Sequence, residues 1–202
     1  MRHRNRIDAG QAFPIYVVMV AGLLFLVFAF FAVGKAAALR NSAQGAADAA
    51  ALAAARQARE DFESGFMASL PPAMLGAYLG AHPVTGCSAA PGLASANQAE
   101  VLSCIPTPGG REDRITVKVR GNKPVDSSVL PGSEKTKAEA TATAVIKFRC
   151  SWTSVDYTND GTQDMYFFTC GKDFIQIAST GKSVVDWSQV SRILYDVHLV
   201  DK

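Results

Sequence analysis

Residues 12 to 33, AFPIYVVMVAGLLFLVFAFFAV, run without a charged side chain. A helix rises 1.5 Å per residue, so roughly 20 apolar residues cross the ~30 Å hydrocarbon core of a bilayer. A helix buried in a soluble domain normally keeps a polar stripe, and this run has none. It reads as a membrane span, and the chain beyond Gly34 reads as a domain held at the membrane surface. A cleaved signal peptide has a shorter apolar core of about 7 to 15 residues. The small residues Ala36 to Ala38 keep cleavage open as the alternative.

The 202 residues less this span leave one ordinary domain of about 100 to 150 residues. The net charge of +2 is spread thinly, so nothing calls for nucleic acid as a partner. Arg2, Arg4 and Arg6 precede the span, and positive charge flanking a first span stays in the cytoplasm. Lys35 and Arg40 on the far side weaken that bias without reversing it. The expected organisation is a cytoplasmic basic N-terminus (1–11), a transmembrane helix (12–33), an alanine-rich extracytoplasmic helix (34–61) and an extracytoplasmic domain (62–202). All four cysteines, Cys87, Cys104, Cys150 and Cys170, lie beyond the span. An even number outside the cytoplasm reads as disulfides, with three possible pairings. Proximity in the chain favours Cys87–Cys104 and Cys150–Cys170. Zinc is disfavoured, because no pair has metal-ligand spacing and only His3, His82 and His198 could assist.

Pro14 suits the first helical turn, and no breaker follows through residue 61. Alanine is the best helix former, so one continuous helix is expected from about residue 14 to residue 60, on the order of 70 Å long. Ala43, Ala47, Ala51 and Ala55 recur every four residues, as do Ala46, Ala50, Ala54 and Ala58. Such stripes let another helix approach closely. They are read either as a packing seam for other subunits or as alanine-rich composition alone.

Residues 69 to 91 are rich in Pro, Gly and small side chains and read as a linker with a helical turn near Met74 to Leu79. A second short helix is expected at about Gly92 to Leu102. RITVKVRG (114–121) alternates as a half-buried strand, and EATATAVIKFRC (139–150) as its longer partner. A loop with a turn at Pro131-Gly132 joins them. CSWTSVDY and TQDMYFFTC flank Asp160-Gly161 as a hairpin that brings Cys150 opposite Cys170. The tail offers a helix at SQVSRILYDV and a final strand. The fold class is α+β: a long N-terminal helix followed by a small, disulfide-bonded, mainly antiparallel β domain.

Catalytic patterns are missing from the sequence. No GxSxG, HExxH or phosphate-binding glycine loop is present, and neither His82 nor His198 has a motif around it. No catalytic residue, cofactor, metal or small-molecule substrate is expected. Asp156, Thr158, Asp160, Gly161 and Asp164 fit positions 1, 3, 5, 6 and 9 of a calcium loop, but position 12 is Phe167 and the flanks are strand-like. A solvated hairpin turn is the preferred reading.

Gly10-Gln11-Ala12, the apolar span and the run Ala47-Asp48-Ala49-Ala50-Ala51-Leu52-Ala53 resemble the N-terminal block of the Tad/Flp pilus-assembly proteins of the TadE/TadG-like group. The resemblance covers about a quarter of the chain. It implies a pilin-like structural component held in the membrane, packing through its N-terminal helix against other pilus-assembly or pilin-like subunits. Flp-type prepilins are cut after a Gly followed five residues later by Glu. That position after Gly10 is Ile15, so Gly10 and Gln11 match the processing site only in part. The competing readings are a membrane-tethered domain that binds a ligand or partner through its aromatic hairpin, unrelated to pili, and a secreted enzyme with a cleaved signal.

Overall fold

The structure is a computed structural model that describes residues 12–124, 136–179 and 186–200. The basic N-terminus, with Gly10 and Gln11, and the Pro131-Gly132 turn lie outside the described residues. Helix α1 runs unbroken over Ala12–Asp61, 50 residues and about 75 Å. Three short helices follow, α2 (Glu63–Ser69), α3 (Leu75–Ala81) and α4 (Ala90–Ala96), the last entered through a 3-10 turn at Cys87–Ala89. Strands β1 (Ala99–Thr107), β2 (Glu112–Pro124) and β3 (Lys137–Phe148) form an antiparallel meander. Strand β7 (Tyr195–Leu199) joins β3 to complete a sheet of order β1-β2-β3-β7. A second antiparallel sheet holds β4 (Ser151–Val155), β5 (Met165–Cys170) and β6 (Asp173–Ala178). Helix α5 (Trp187–Leu194) leads into β7, with Asp186 accepting the Ser188 amide at its N-cap.

Alternation in β2 and β3 explains the first sheet. Ile115, Val117 and Val119 point inward beside Ala142, Ala144 and Ile146, with Ile115 paired to Ala144 and Val117 to Ala142. The opposite face carries Thr116 bonded to Thr143 and Lys118 paired with Glu139, both open to solvent in part. The inward face is covered by α1. Ala43, Ala46, Ala47, Ala50, Ala51, Ala54, Ala55 and Ala58 are all buried, and from Ala46 onward they share one core with β2, β3 and α4. The seam expected to be open to other subunits is thus covered within the chain: Ala43, Ala47, Ala51 and Ala55 are all buried by its own domain. The core therefore runs across the boundary expected at residue 61.

Alanine on both sides permits this close approach, since Ala142 and Ala144 on β3 are as small as the residues α1 presents. Gly86 shows how tight the packing is. Its φ is +98°, and a Cβ there would sit 2.1 Å from the Ala54 carbonyl oxygen.

The short helix expected to continue to Leu102 stops at Ala96. Asn97 donates its side-chain amide to the Leu93 carbonyl, Gln98 takes a φ of +58°, and the chain turns into β1. Cys104 therefore sits in a strand rather than beyond a helix. Residues 101 to 105 alternate well enough to pair with β2, and tertiary pairing overrides the helical propensity of the preceding alanines.

Because the alanine face is filled, enlarging it should now cost the single chain. Ala47→Leu and Ala51→Leu are each expected to destabilise the domain by about 1 to 3 kcal/mol through overpacking. Equilibrium denaturation of the purified chain measures this. Losses of less than about 0.5 kcal/mol at both positions, the range of open surface sites, would contradict the packing.

Candidate functional site

Helix α1 changes in character along its length. Its first half shows only apolar side chains to the outside: Phe13, Phe30 and Phe31 are each more than 70 % exposed. Gly22 and Gly34 meet no other atom within 4 Å of where a Cβ would stand. This is the one helix among the described residues long and apolar enough to cross a membrane, with a mean hydropathy of 2.8 over its apolar window and none of that window buried. A core helix would be mostly covered, so the half is a candidate membrane anchor. Its second half is embedded in the domain, where the buried alanines hold it.

The cysteines pair as Cys87–Cys104 and Cys150–Cys170. The first bond fastens the turn before α4 to β1. The second closes the ends of the β4–β5 hairpin, in which Ser151 pairs with Thr169 and Val155 with Met165. At the tip, Asp156 accepts the Gly161 amide at 2.8 Å, Asp160 accepts that of Thr162 at 2.8 Å, and Asp164 accepts that of Tyr157 at 2.7 Å. The carboxylates that fit a calcium-loop pattern thus cap the backbone of their own turn.

These features place the apolar and alanine-rich halves on one rigid helix joined to a disulfide-bonded domain. Residues 10–57 match the Tad family model, described as Flp pilus-assembly TadE/G-like. The chain carries a TadE/G-like N-terminal segment. The match takes in the whole exposed apolar half and every buried alanine of the stripe except Ala58. It points to a role related to pilus assembly in a membrane setting. No curated protein and no solved structure matches the chain.

Beyond the TadE/G-like segment, a buried polar pair joins His82 to Asp113, and no motif in the sequence marks it. His82, just after α3, places Nε2 2.8 Å from Asp113 Oδ2 and Nδ1 3.1 Å from the Tyr78 carbonyl oxygen. The two ring nitrogens of His82 are thus each set against an acceptor oxygen, Nε2 at ion-pair distance from a carboxylate. Asp113 Oδ1 also accepts the Gly109 amide at 2.9 Å. Neither side chain is more than 2 % exposed. Phe62 meets the imidazole edge-on at 4.5 Å between centroids, and Tyr78 stacks on it at 5.0 Å.

Burial pulls the His82 pKa down, but the hydrogen bond and charge of Asp113 and the carbonyls of Tyr78 and Leu79 more than offset it. The result lies above the ordinary value of 6.5. Burial, and then the Asp113 charge, push the Tyr78 hydroxyl up to about 12, and that hydroxyl donates to the Phe62 carbonyl. The enclosed pair fastens α3 and the end of α1 to the start of β2.

A sequence signal for it existed. Asp113 continues the inward alternation of Ile115, Val117 and Val119, and His82 follows Leu75 and Leu79 on a helical face.

A raised His82 pKa means that its stabilisation is fully present below about pH 6.5 and is lost as pH rises through the folded-state value. The unfolding free energy of the wild-type chain should fall between pH 6 and 9 more steeply than that of His82→Ala. At pH 6 that variant should lose about 3 to 5 kcal/mol, because Asp113 is left buried and unpaired. Denaturation curves across this pH range provide the measurement, and identical pH slopes for the two proteins would refute the pairing.

Proposed function

We propose that this chain is a membrane-anchored, pilin-like structural component of a Tad/Flp-type pilus or of the machinery that assembles it. The observation that carries the reading is the division of α1. One half is locked into the domain by a buried alanine stripe, and the other projects as bare apolar helix. A flexible tether needs no such fixed geometry. A projecting apolar rod has two stable surroundings, the lipid of a bilayer or a bundle of similar helices, and passing from one to the other is what assembly of such subunits requires. The TadE/G-like match falls on this helix and supports the same reading.

The chain is oriented with its N-terminus in the cytoplasm and its domain outside. Arg2, Arg4 and Arg6 ahead of the span support this. Two disulfides support it independently, since such bonds persist in oxidising compartments. Its partners are the membrane and other pilus-assembly or pilin-like subunits, met through residues 13 to 33 rather than through the alanine face. No catalysis is proposed: the enclosed His82 is committed to its ion pair, and the hairpin carboxylates to their own turn.

Two measurements test this. Protease added to intact spheroplasts should digest the domain while sparing an N-terminal tag; the reverse pattern would overturn the orientation. Replacing residues 13 to 33 with an unrelated span of equal length should keep the protein in the membrane but abolish its co-purification with pilus-assembly proteins. Undiminished co-purification would assign recognition to the domain and favour the reading of a simple tether.

A further inference from the structure

A basic groove opens where α1, α5 and β7 meet. Arg56 and Arg59 stand three residues apart on α1, Arg192 comes from α5, and Tyr195, Asp196 and Val197 of β7 complete a cavity of about 470 Å³. The two acids nearby already have partners. Glu60 holds Arg59 at 2.8 Å and receives the Ser191 hydroxyl at 3.4 Å, and Asp196 is paired with His198 at 2.9 Å. Arg56 makes no ion pair among the described residues, and Arg192 acts on Asp186 only through its charge. Arg59 is nine-tenths buried and held by Glu60, so the charges the groove presents to solvent are those of the exposed Arg56 and Arg192. An exposed guanidinium without an ion-pair partner suits a carboxylate, which its planar fork can bind through two hydrogen bonds. Strand β7 is at the edge of its sheet, which leaves backbone groups unpaired along the floor.

We propose that this groove receives the acidic loop 156–164 of a second copy of the chain. The loop carries Asp156, Asp160 and Asp164 and no basic residue. Its backbone is already fixed by those carboxylates and by the Gln163 amide donating to the Pro71 carbonyl at 2.9 Å, so little ordering remains for docking to impose. Each carboxylate uses only part of its acceptor capacity in the turn. Tyr157 is 65 % exposed beside them and offers a ring face to an arginine.

No hydrogen bond or ion pair among the described residues joins loop and groove within one chain. They are different patches, so a head-to-tail contact between them repeats from copy to copy, as in a ring or an open filament. Arg56 lies about 35 Å along α1 from the end of the apolar run, which puts the groove beyond the reach of lipid headgroups around its own span. The contact is independent of association through residues 13 to 33, because a chain with an exchanged span keeps both groove and loop.

The test is a photocrosslinker, benzoylphenylalanine, placed at Tyr157 in the full-length chain in membranes. Irradiation should give dimers and higher species, with the crosslinked peptide containing residues 56–59 or 192–197. Arg56→Glu with Arg192→Glu should cut the yield by about tenfold or more, and Asp160→Lys should do the same. All three positions are exposed, and retention of both disulfides checks that each variant is folded. Combining the three substitutions in one chain should restore the crosslink, since the reversed charges again attract. No crosslink, a crosslink mapped elsewhere, or failure of the combined variant to recover would overturn the proposal.

Discussion

The contact between the alanine stripe of α1 and the inward face of β2 and β3 sets the rest of this structure. Alanine favours a helix more than any other residue and leaves less bulk outside it than any residue but glycine. A stripe of eight such residues lets the helix backbone come close to a sheet whose own facing residues include Ala142 and Ala144. Larger side chains on either surface would push the two layers apart. Because this contact is broad and close, it fixes the direction in which the first half of α1 leaves the domain. That direction is what turns an apolar segment into a rigid, projecting rod.

Around this contact, the domain uses polar and covalent ties where its apolar layers are thin. The His82–Asp113 pair joins the loop after α3 to β2 inside a cage of Phe62 and Tyr78. Its removal would leave a lone buried charge, so it acts as a lock rather than as a source of net stability. Tyr166, deep in the second sheet, donates its hydroxyl to the Leu70 carbonyl and so fastens that sheet to the turn after α2. The disulfides close loops of 17 and 20 residues. In the chain-entropy account, whose mechanism is disputed, each loop of this size contributes about 3 kcal/mol. These ties surround α1 and keep the embedded half in place while the other half projects as bare apolar helix.

Much of this was legible in the sequence, for local reasons. The unbroken helix followed from the absence of breakers, β2 and β3 from strict alternation, and the β4–β5 hairpin from Asp160-Gly161 flanked by aromatic runs. What escaped the sequence depends on partners far apart in the chain. The alanine periodicity showed that something small-surfaced packs there, but a helix face does not say whether a sheet of its own chain or a neighbour's helix covers it. Strand β1 was hidden behind alanine-rich helical propensity, and β6 lacked a turn signal strong enough to set it apart. Asp113 and His82 each lay on an apolar face, yet 31 positions separate them in the chain. Only the register of β2 against the loop after α3 brings them together. The Arg56, Arg59 and Arg192 groove is likewise assembled from two helices and an edge strand.

Hydrogen exchange of the full chain in lipid nanodiscs tests the central claim most directly. An exposed helix exchanges by local fraying and opening, whereas a half-helix buried against its own sheet opens only when the domain unfolds. The amides of residues 43 to 58 are expected to exchange with the slowest class, together with those of β2 and β3. Exchange of that stretch at the rate of an exposed helix, while β2 and β3 remain protected, would show that α1 is not embedded and would contradict the account.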